Sequence, residues 1–195
     1  MDFCNNYKSR RFFENNSGKE KNMKKISFAT ISILLTLIII ILFFGLKTNR
    51  VYDTKDQVGK QIAKVELDLL NEKKVFNTNN FSNNQFTLIN FFASWCGPCR
   101  KEHKYLVELS KKKNLKIFGV NFKDEKTNAN EFLKKLGNPY YLIASDYTGK
   151  KSISFGIYGI PETILIDKNL IILKKYVGPI NKKDVKTILE LIKNQ

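Results

Sequence analysis

The sequence predicts one α/β domain preceded by a single apolar segment. Three observations carry this. Two compact apolar runs, Thr87–Phe92 and Lys116–Val120, flank a helical stretch and so form a β-α-β unit. Two further runs, Thr163–Ile166 and Ile171–Val177, lie close enough to pair as a hairpin before a last amphipathic helix. And 21 residues from Ile26 to Leu46 carry no charge at all. A chain of 195 residues holds one domain of ordinary size with such a segment added. Its 43% hydrophobic and 12% aromatic content excludes a wholly disordered protein, and three cysteines exclude a disulfide-stapled miniprotein.

In chain order, residues 1–25 are polar and read as a cytoplasmic tail, within which Met23-Lys24-Lys25 resembles an alternative start. Residues 26–46 are rich in Ile, Leu and Phe. At about 1.5 Å per residue this run matches a hydrocarbon core roughly 30 Å thick. It is longer than a signal-peptide core and lacks an A-x-A-like cleavage site, so an uncleaved transmembrane anchor is expected. Basic residues flank it on both sides. The order of parts, a short flank followed by a long domain, is that of a signal-anchor with an exported domain. Residues 47–60 read as a linker and 61–195 as the domain. Gln61–Asn84 mixes short apolar runs with Asn-rich polar residues and is expected to form an irregular hairpin and loop.

Thr87–Phe92 reads as a strand buried on both faces. The helix after it should present Leu106, Val107 and Leu109 inward, and at 100° per residue Glu102 and His103 fall in the same arc. A second helix is expected with Thr127 as its cap, Ala129, Phe132, Leu133 and Leu136 as its apolar stripe, and Gly137 and Pro139 as its stop. Val185, Ile188, Leu189 and Ile192 mark the last helix.

Lys and Arg total 34 against 18 acidic residues, a net charge of +16. A basic surface can mark nucleic-acid binding. Here the lysines are dispersed, and Arg is confined to Arg10, Arg11, Arg50 and Arg100, which argues against it.

The chemistry lies in Trp95-Cys96-Gly97-Pro98-Cys99, between the first strong strand and its helix. Thiols at this spacing on a helix N-terminus can close a disulfide. The first is nearest the free N–H groups and the positive end of the helix dipole, which favour its thiolate. Cys96 is therefore the expected nucleophile and Cys99 the resolving thiol. A zinc site would need two more ligands, and only Cys4 and His103 are candidates, so no metal and no cofactor beyond the Cys96–Cys99 pair is expected. An inward carboxylate one turn from the thiols should hold its proton more tightly than usual, which suits Glu102 to exchanging a proton with Cys99. Glu102 could equally pair with His103 or a lysine. Trp95 could shield the disulfide and contact substrate, or simply pack. Gly159-Ile-Pro-Glu-Thr163 stands just before a strand, where a cis Pro161 would lay extended backbone beside the disulfide.

These features resemble the thioredoxin fold: a central mixed sheet flanked by helices. More narrowly, residues 58–180 resemble the membrane-anchored thiol:disulfide interchange proteins of cytochrome c maturation, the CcmG/DsbE family. The likeness rests on Asn90-Phe-Phe-Ala-Ser-Trp-Cys-Gly-Pro-Cys99, Glu102-His103, Gly119-Val-Asn-Phe-Lys-Asp124, Leu136-Gly-Asn-Pro-Tyr140 and Gly156-Ile-Tyr-Gly-Ile-Pro-Glu-Thr163. It implies that Pro161 is cis and that Glu102 and Glu162 are acidic residues near the disulfide. It also implies that Asn90 replaces the buried Asp of general thioredoxins. Gly97-Pro98 is the dipeptide of general thioredoxins. The implied activity is reduction of disulfides in the CxxCH haem-attachment motif of apocytochrome c, or in a maturation partner. A transmembrane thiol reductase of the DsbD/CcdA type would supply electrons at the periplasmic face of a bacterial inner membrane. Other readings are a general or copper-site reductant, a disulfide-donating oxidase, or a non-catalytic module that docks apocytochrome.

Overall fold

The computed structural model describes Phe28 and residues 30–45 and 57–193. The chain divides into two units, Met1–Tyr52 and Asp53–Gln195. In the first, Phe28 and residues 30–45 are helical, with their large apolar side chains exposed. Among the described residues no helix is long and apolar enough to cross a membrane. The tail with Cys4 and Met23, and most of the expected linker, lie outside the described residues.

The second unit is a seven-stranded mixed sheet in the order β2-β1-β5-β4-β3-β6-β7. Its strands are β1 Glu66–Leu69, β2 Val75–Asn77, β3 Phe86–Phe92, β4 Leu115–Phe122, β5 Leu142–Asp146, β6 Glu162–Asp167 and β7 Ile172–Val177. The helices are α1 Gly97–Leu109, α2 Lys126–Leu136, α3 Lys150–Ser154 and α4 Lys182–Lys193. β3, β4 and β5 run parallel, and every other pairing is antiparallel. All seven residues of β3 are buried, as a central strand with both faces covered requires.

Side-chain alternation divides the core in two. Leu88 and Phe92 of β3, Ile117 of β4 and Leu165 of β6 face α1, α2 and α4, where they meet Leu106, Phe132, Ile188 and both cysteines. Ile89, Phe91, Phe118, Ile164 and Ile166 face the other way, against Leu67, Phe76, Phe81 and Phe155. There Phe76, Phe81 and Phe118 pack mutually with ring centroids 4.8–5.0 Å apart.

The irregular hairpin expected before Thr87 is β1–β2 followed by a 3-10 turn, Thr78–Asn83. The hairpin across Asp167-Lys168-Asn169 is β6–β7. Two elements add to the expected plan. β5 is short, and only Ile143, Ala144 and Asp146 are buried, so its pattern is weak in sequence. It gains strand geometry by pairing with β4 on one side and β1 on the other. α3 is one turn entered through Gly149 and tied to the end of β5 by Asp146, whose Oδ2 accepts from the Ser152 N–H and hydroxyl, each at 2.7 Å. A correction concerns the start of α2. Thr127 lies inside the first turn and Glu125 takes the cap position, with no side-chain cap bond. Contacts made by Asp124, described below, decide where the chain enters this helix. The expected stop holds, since Gly137 adopts φ 89°.

Gly119 illustrates how closely this face is packed. A Cβ there would lie 2.9 Å from Cγ of Tyr140 and 3.1 Å from Cε1 of Phe92, whose rings stack with centroids 4.8 Å apart. Gly119→Ala is therefore expected to cost about 1–3 kcal/mol by overpacking, measured as a lower urea midpoint at unchanged slope.

Candidate active site

Cys96 caps α1. It follows β3 through the turn Ala93–Trp95, where its N–H donates to Ala93 O at 3.2 Å. Cys96 and Cys99 form a disulfide with their Cα atoms 5.3 Å apart. The Cys99 N–H points at Cys96 Sγ, 3.1 Å away. Pro98, in the first turn, lacks an N–H that would have no helical partner anyway. The Cys99 N–H and the N-terminus of α1 thus face the Cys96 sulfur, an environment of the kind that stabilises a thiolate. Both cysteines are buried, whereas Trp95, Gly97 and Pro98 are exposed, so the disulfide is reached across this rim.

Behind the disulfide lies a buried polar cluster. Glu102 is 1% exposed. Its Oε1 accepts from Asn90 Nδ2 at 2.9 Å and its Oε2 from the Ile180 N–H at 2.8 Å. Asn90 Nδ2 also donates to Thr163 Oγ1 at 3.0 Å, and Asn90 Oδ1 accepts from the Tyr140 hydroxyl at 2.8 Å. Burial pushes the Glu102 carboxyl up to about 7, against the opposing pull of the Ile180 and Asn90 donors. A groove of about 560 Å³ between α1 and the Pro179–Asn181 loop has Glu102 in its wall and opens to solvent. His103 turns away: its Nε2 lies 2.7 Å from Gly137 O and its ring meets Phe132 edge-on. Burial lowers its proton affinity. Of the partners weighed for Glu102, neither His103 nor a lysine bonds to it among the described residues; Asn90 and the Ile180 N–H do.

Two supporting residues were not legible as such. Asp124 accepts four hydrogen bonds: from the Ser94 N–H at 2.7 Å, the Ser94 hydroxyl at 2.8 Å, Asn121 Nδ2 at 2.9 Å and the Glu125 N–H at 2.9 Å. It pins the turn before the cysteines to the end of β4, while the Trp95 indole N–H donates to Lys123 O at 3.0 Å. Trp95 is 60% exposed, its ring lying on the surface rather than packing inward.

Lys175 is the other. Ile160–Pro161 is cis, as the resemblance implied. Pro161 O accepts from the Gly178 N–H at 2.9 Å, and Ile160 packs on the cluster that holds the cysteines. Glu162, one residue on, turns to the opposite face of the sheet from Asn90 and Glu102. Its Oε1 accepts from the Tyr158 and Gly159 N–H groups at 3.0 and 3.1 Å. Its Oε2 meets the Lys175 ammonium at 3.0 Å as a charge contact, and Lys175 also donates to Gly156 O at 2.6 Å. Both side chains are almost wholly buried. A lysine in an alternating strand reads as solvent-facing, and the only signal for its burial is the acid placed across the hairpin. The structure thus gathers Asn90 and Glu102 behind Cys96 and Cys99, sets Trp95, Gly97 and Pro98 at the rim, and makes Glu162 a brace of the Gly156–Pro161 loop.

A thioredoxin-like α/β fold with a helix-capping CxxC pair defines a thiol:disulfide oxidoreductase. A model of the redoxin family matches residues 57–192. DsbE of Haemophilus influenzae, a thiol:disulfide interchange protein, is 37% identical over 126 residues, 65% of this chain and 69% of that protein. HelX of Rhodobacter capsulatus is 36% identical over 124 residues, 64% of this chain and 70% of HelX. CycY of Rhizobium leguminosarum is 52% identical over 95 residues, 49% of this chain and about half (51%) of CycY. A solved thiol:disulfide interchange protein DsbE from Chlorobium tepidum shares the fold, with a TM-score of 0.60, 24% identity and coverage of 70% of this chain and 96% of that one. The chain belongs to the redoxin family and, within it, to the CcmG/DsbE group of thiol:disulfide interchange proteins.

Two outcomes are expected. Because folding raises the Glu102 midpoint from 4.5 to about 7, the native state binds more protons than the unfolded chain between those values. The stability this carboxyl contributes is present at low pH and is lost as pH rises through that window. Relative to Glu102→Gln, the parent should lose on the order of 3 kcal/mol between pH 4.5 and 8, read from paired denaturation curves. Lys175→Met strands the Glu162 charge and should cost about 3–5 kcal/mol, whereas the Lys175→Met, Glu162→Gln pair should recover much of it.

Proposed function

We propose that this oxidoreductase works as a reductant in cytochrome c maturation, acting on the disulfide of the apocytochrome CxxCH motif or of an assembly partner. The observation that carries this reading is the pairing of a helix-capping Cys96 with a buried, readily protonated Glu102 one turn beyond Cys99. The relationship to DsbE, CycY and HelX supports it. The Cys96 thiolate attacks one sulfur of the substrate disulfide, and the other leaves as a thiolate. Cys99 then passes its proton to Glu102 and attacks Cys96 Sγ, releasing the second substrate thiolate. Glu102 returns its proton towards the departing sulfur, and the second proton comes from water. Two electrons leave the Cys96–Cys99 dithiol, and the substrate gains two thiols. No further cofactor is needed, because the cysteine pair is itself the redox centre.

The uncharged stretch at 26–46 supports a membrane anchor, with the domain on the periplasmic side of a bacterial inner membrane. A transmembrane dithiol reductase of the DsbD/CcdA type would restore the reduced form there. Gly97-Pro98, the dipeptide of general thioredoxins, favours a second reading in which the chain reduces a wider range of exported disulfides.

The test is the reduction potential of the full chain in detergent micelles, equilibrated against a thiol buffer. A value near −270 mV is expected for an electron donor, roughly that of thioredoxin. A value near −120 mV, roughly that of a disulfide donor, would overturn the reductive reading. Cys99→Ser should then trap an oxidised CxxCH peptide as a mixed disulfide on Cys96. Equal trapping of unrelated disulfide peptides would favour the wider-range reading.

A further inference from the structure

Tyr140 takes no part in the exchange just described, yet the structure commits much to it. The residue is buried, and its ring stacks on Phe92 in space kept open by Gly119. Its backbone N–H donates to Asn138 Oδ1 at 3.0 Å, and the neighbouring Gly137 carbonyl holds His103. Two sequence blocks, Gly119–Asp124 and Leu136–Tyr140, thus converge on one phenol. Its hydroxyl lies 2.8 Å from Asn90 Oδ1.

That contact settles which way Asn90 points. A carboxamide is nearly symmetrical in shape but has an acceptor at one end and donors at the other. With Oδ1 occupied by the Tyr140 O–H, Nδ2 must face Glu102 Oε1 and Thr163 Oγ1, as it does. Rotating the amide by half a turn would aim Oδ1 at Glu102, which is tolerable only when that carboxyl carries a proton. The same rotation would set the Nδ2 donor against the Tyr140 hydroxyl and take away the acceptor that its hydrogen uses, and a buried donor left unpaired is costly. We propose that Tyr140 is a positioning residue that locks the Asn90 amide so that it always donates to Glu102, keeping that carboxyl able to give its proton up. The inference rests on the reading of Glu102 as the proton carrier, and it names the group that keeps the carrier from holding its proton too tightly.

The surroundings of Glu102 leave few other groups that could set this balance. From β3 comes Asn90, from β6 Thr163 through Asn90, and from the loop before α4 the Ile180 N–H. On its own helix, His103 is turned to Gly137, and Arg100 reaches Ser94 O and the Phe132 ring. Lys101 and Lys104 are exposed on the groove. Burial first, and the Glu102 charge after it, hold the Tyr140 phenol well above its ordinary range, so its hydroxyl keeps the hydrogen it donates to Asn90.

The experiment is carbon-13 NMR of glutamate-labelled full-length protein in micelles, following the Glu102 carboxyl through pH. Tyr140→Phe keeps the ring and its stacking but frees Asn90. The Glu102 midpoint should rise by about one pH unit. In an Asn90→Ala background, adding Tyr140→Phe should shift nothing further, because the amide through which it acts is gone. An unchanged midpoint in Tyr140→Phe, or an equal shift with Asn90 absent, would overturn the assignment and leave Tyr140 a packing residue. The pH profile of thiol exchange separates this from the parent reading. If the carboxyl midpoint moves and the kinetic profile does not follow, Tyr140 still positions Asn90, and it is the role of Glu102 in proton transfer that falls.

Discussion

The hydrogen bond from Asn90 to Glu102 joins the central strand to the helix that carries both cysteines, and the rest of the site is arranged around it. β3 is the most buried strand of the sheet, and α1 lies across one face of it. An acid at this depth is tolerated only because each of its oxygens has a donor, one from Asn90 and one from the Ile180 backbone. Those donors oppose the burial that raises its proton affinity, and the balance falls near neutrality. A second anionic carboxylate in the place of Asn90 would face Glu102 as a like charge. The amide avoids that and supplies a donor.

The sheet keeps redox chemistry and its mechanical support on opposite faces. Cysteines, Glu102 and Tyr140 occupy the face covered by α1, α2 and α4. The Glu162–Lys175 pair occupies the other face and holds the loop that ends at Pro161. Asp124 plays the matching part for the turn that ends at Cys96. Two buried carboxylates therefore brace two backbone segments, one leading into Cys96 and one ending at Pro161, while a third, Glu102, has its proton affinity raised by burial. What separates their roles is the donor set. Asp124 accepts from four groups, Glu162 from two N–H groups together with a cation, and Glu102 from only two neutral donors.

Much of this was readable in the residues themselves. The continuous apolar run of β3 announced a strand buried on both faces, and the cysteine spacing at a helix start announced the reactive pair. Helical phase put Glu102 and His103 on the inner side of α1, where both lie. The resemblance to the CcmG/DsbE group singled out Pro161, Asn90 and the two glycine-containing blocks without saying what the blocks do. Short elements with mixed composition, β5 and α3, were not readable, because their geometry comes from neighbouring strands and from the Asp146–Ser152 hydrogen bonds rather than from local pattern.

By itself the sequence determined the α/β class, the Cys96–Cys99 pair and the burial of Glu102, because these follow from periodicity and spacing along the chain. Only the tertiary structure decided that Tyr140, fifty residues from Asn90 in sequence, orients its amide. The same holds for Lys175 against Glu162 and for Asp124 against Ser94, partners separated along the chain. Helical phase can mark a polar side chain as inward, as it does Glu102, but nothing in the neighbourhood of Tyr140, Lys175 or Asp124 marks which distant partner each will meet. That is set when strands and helices from distant segments close over them and remove the water.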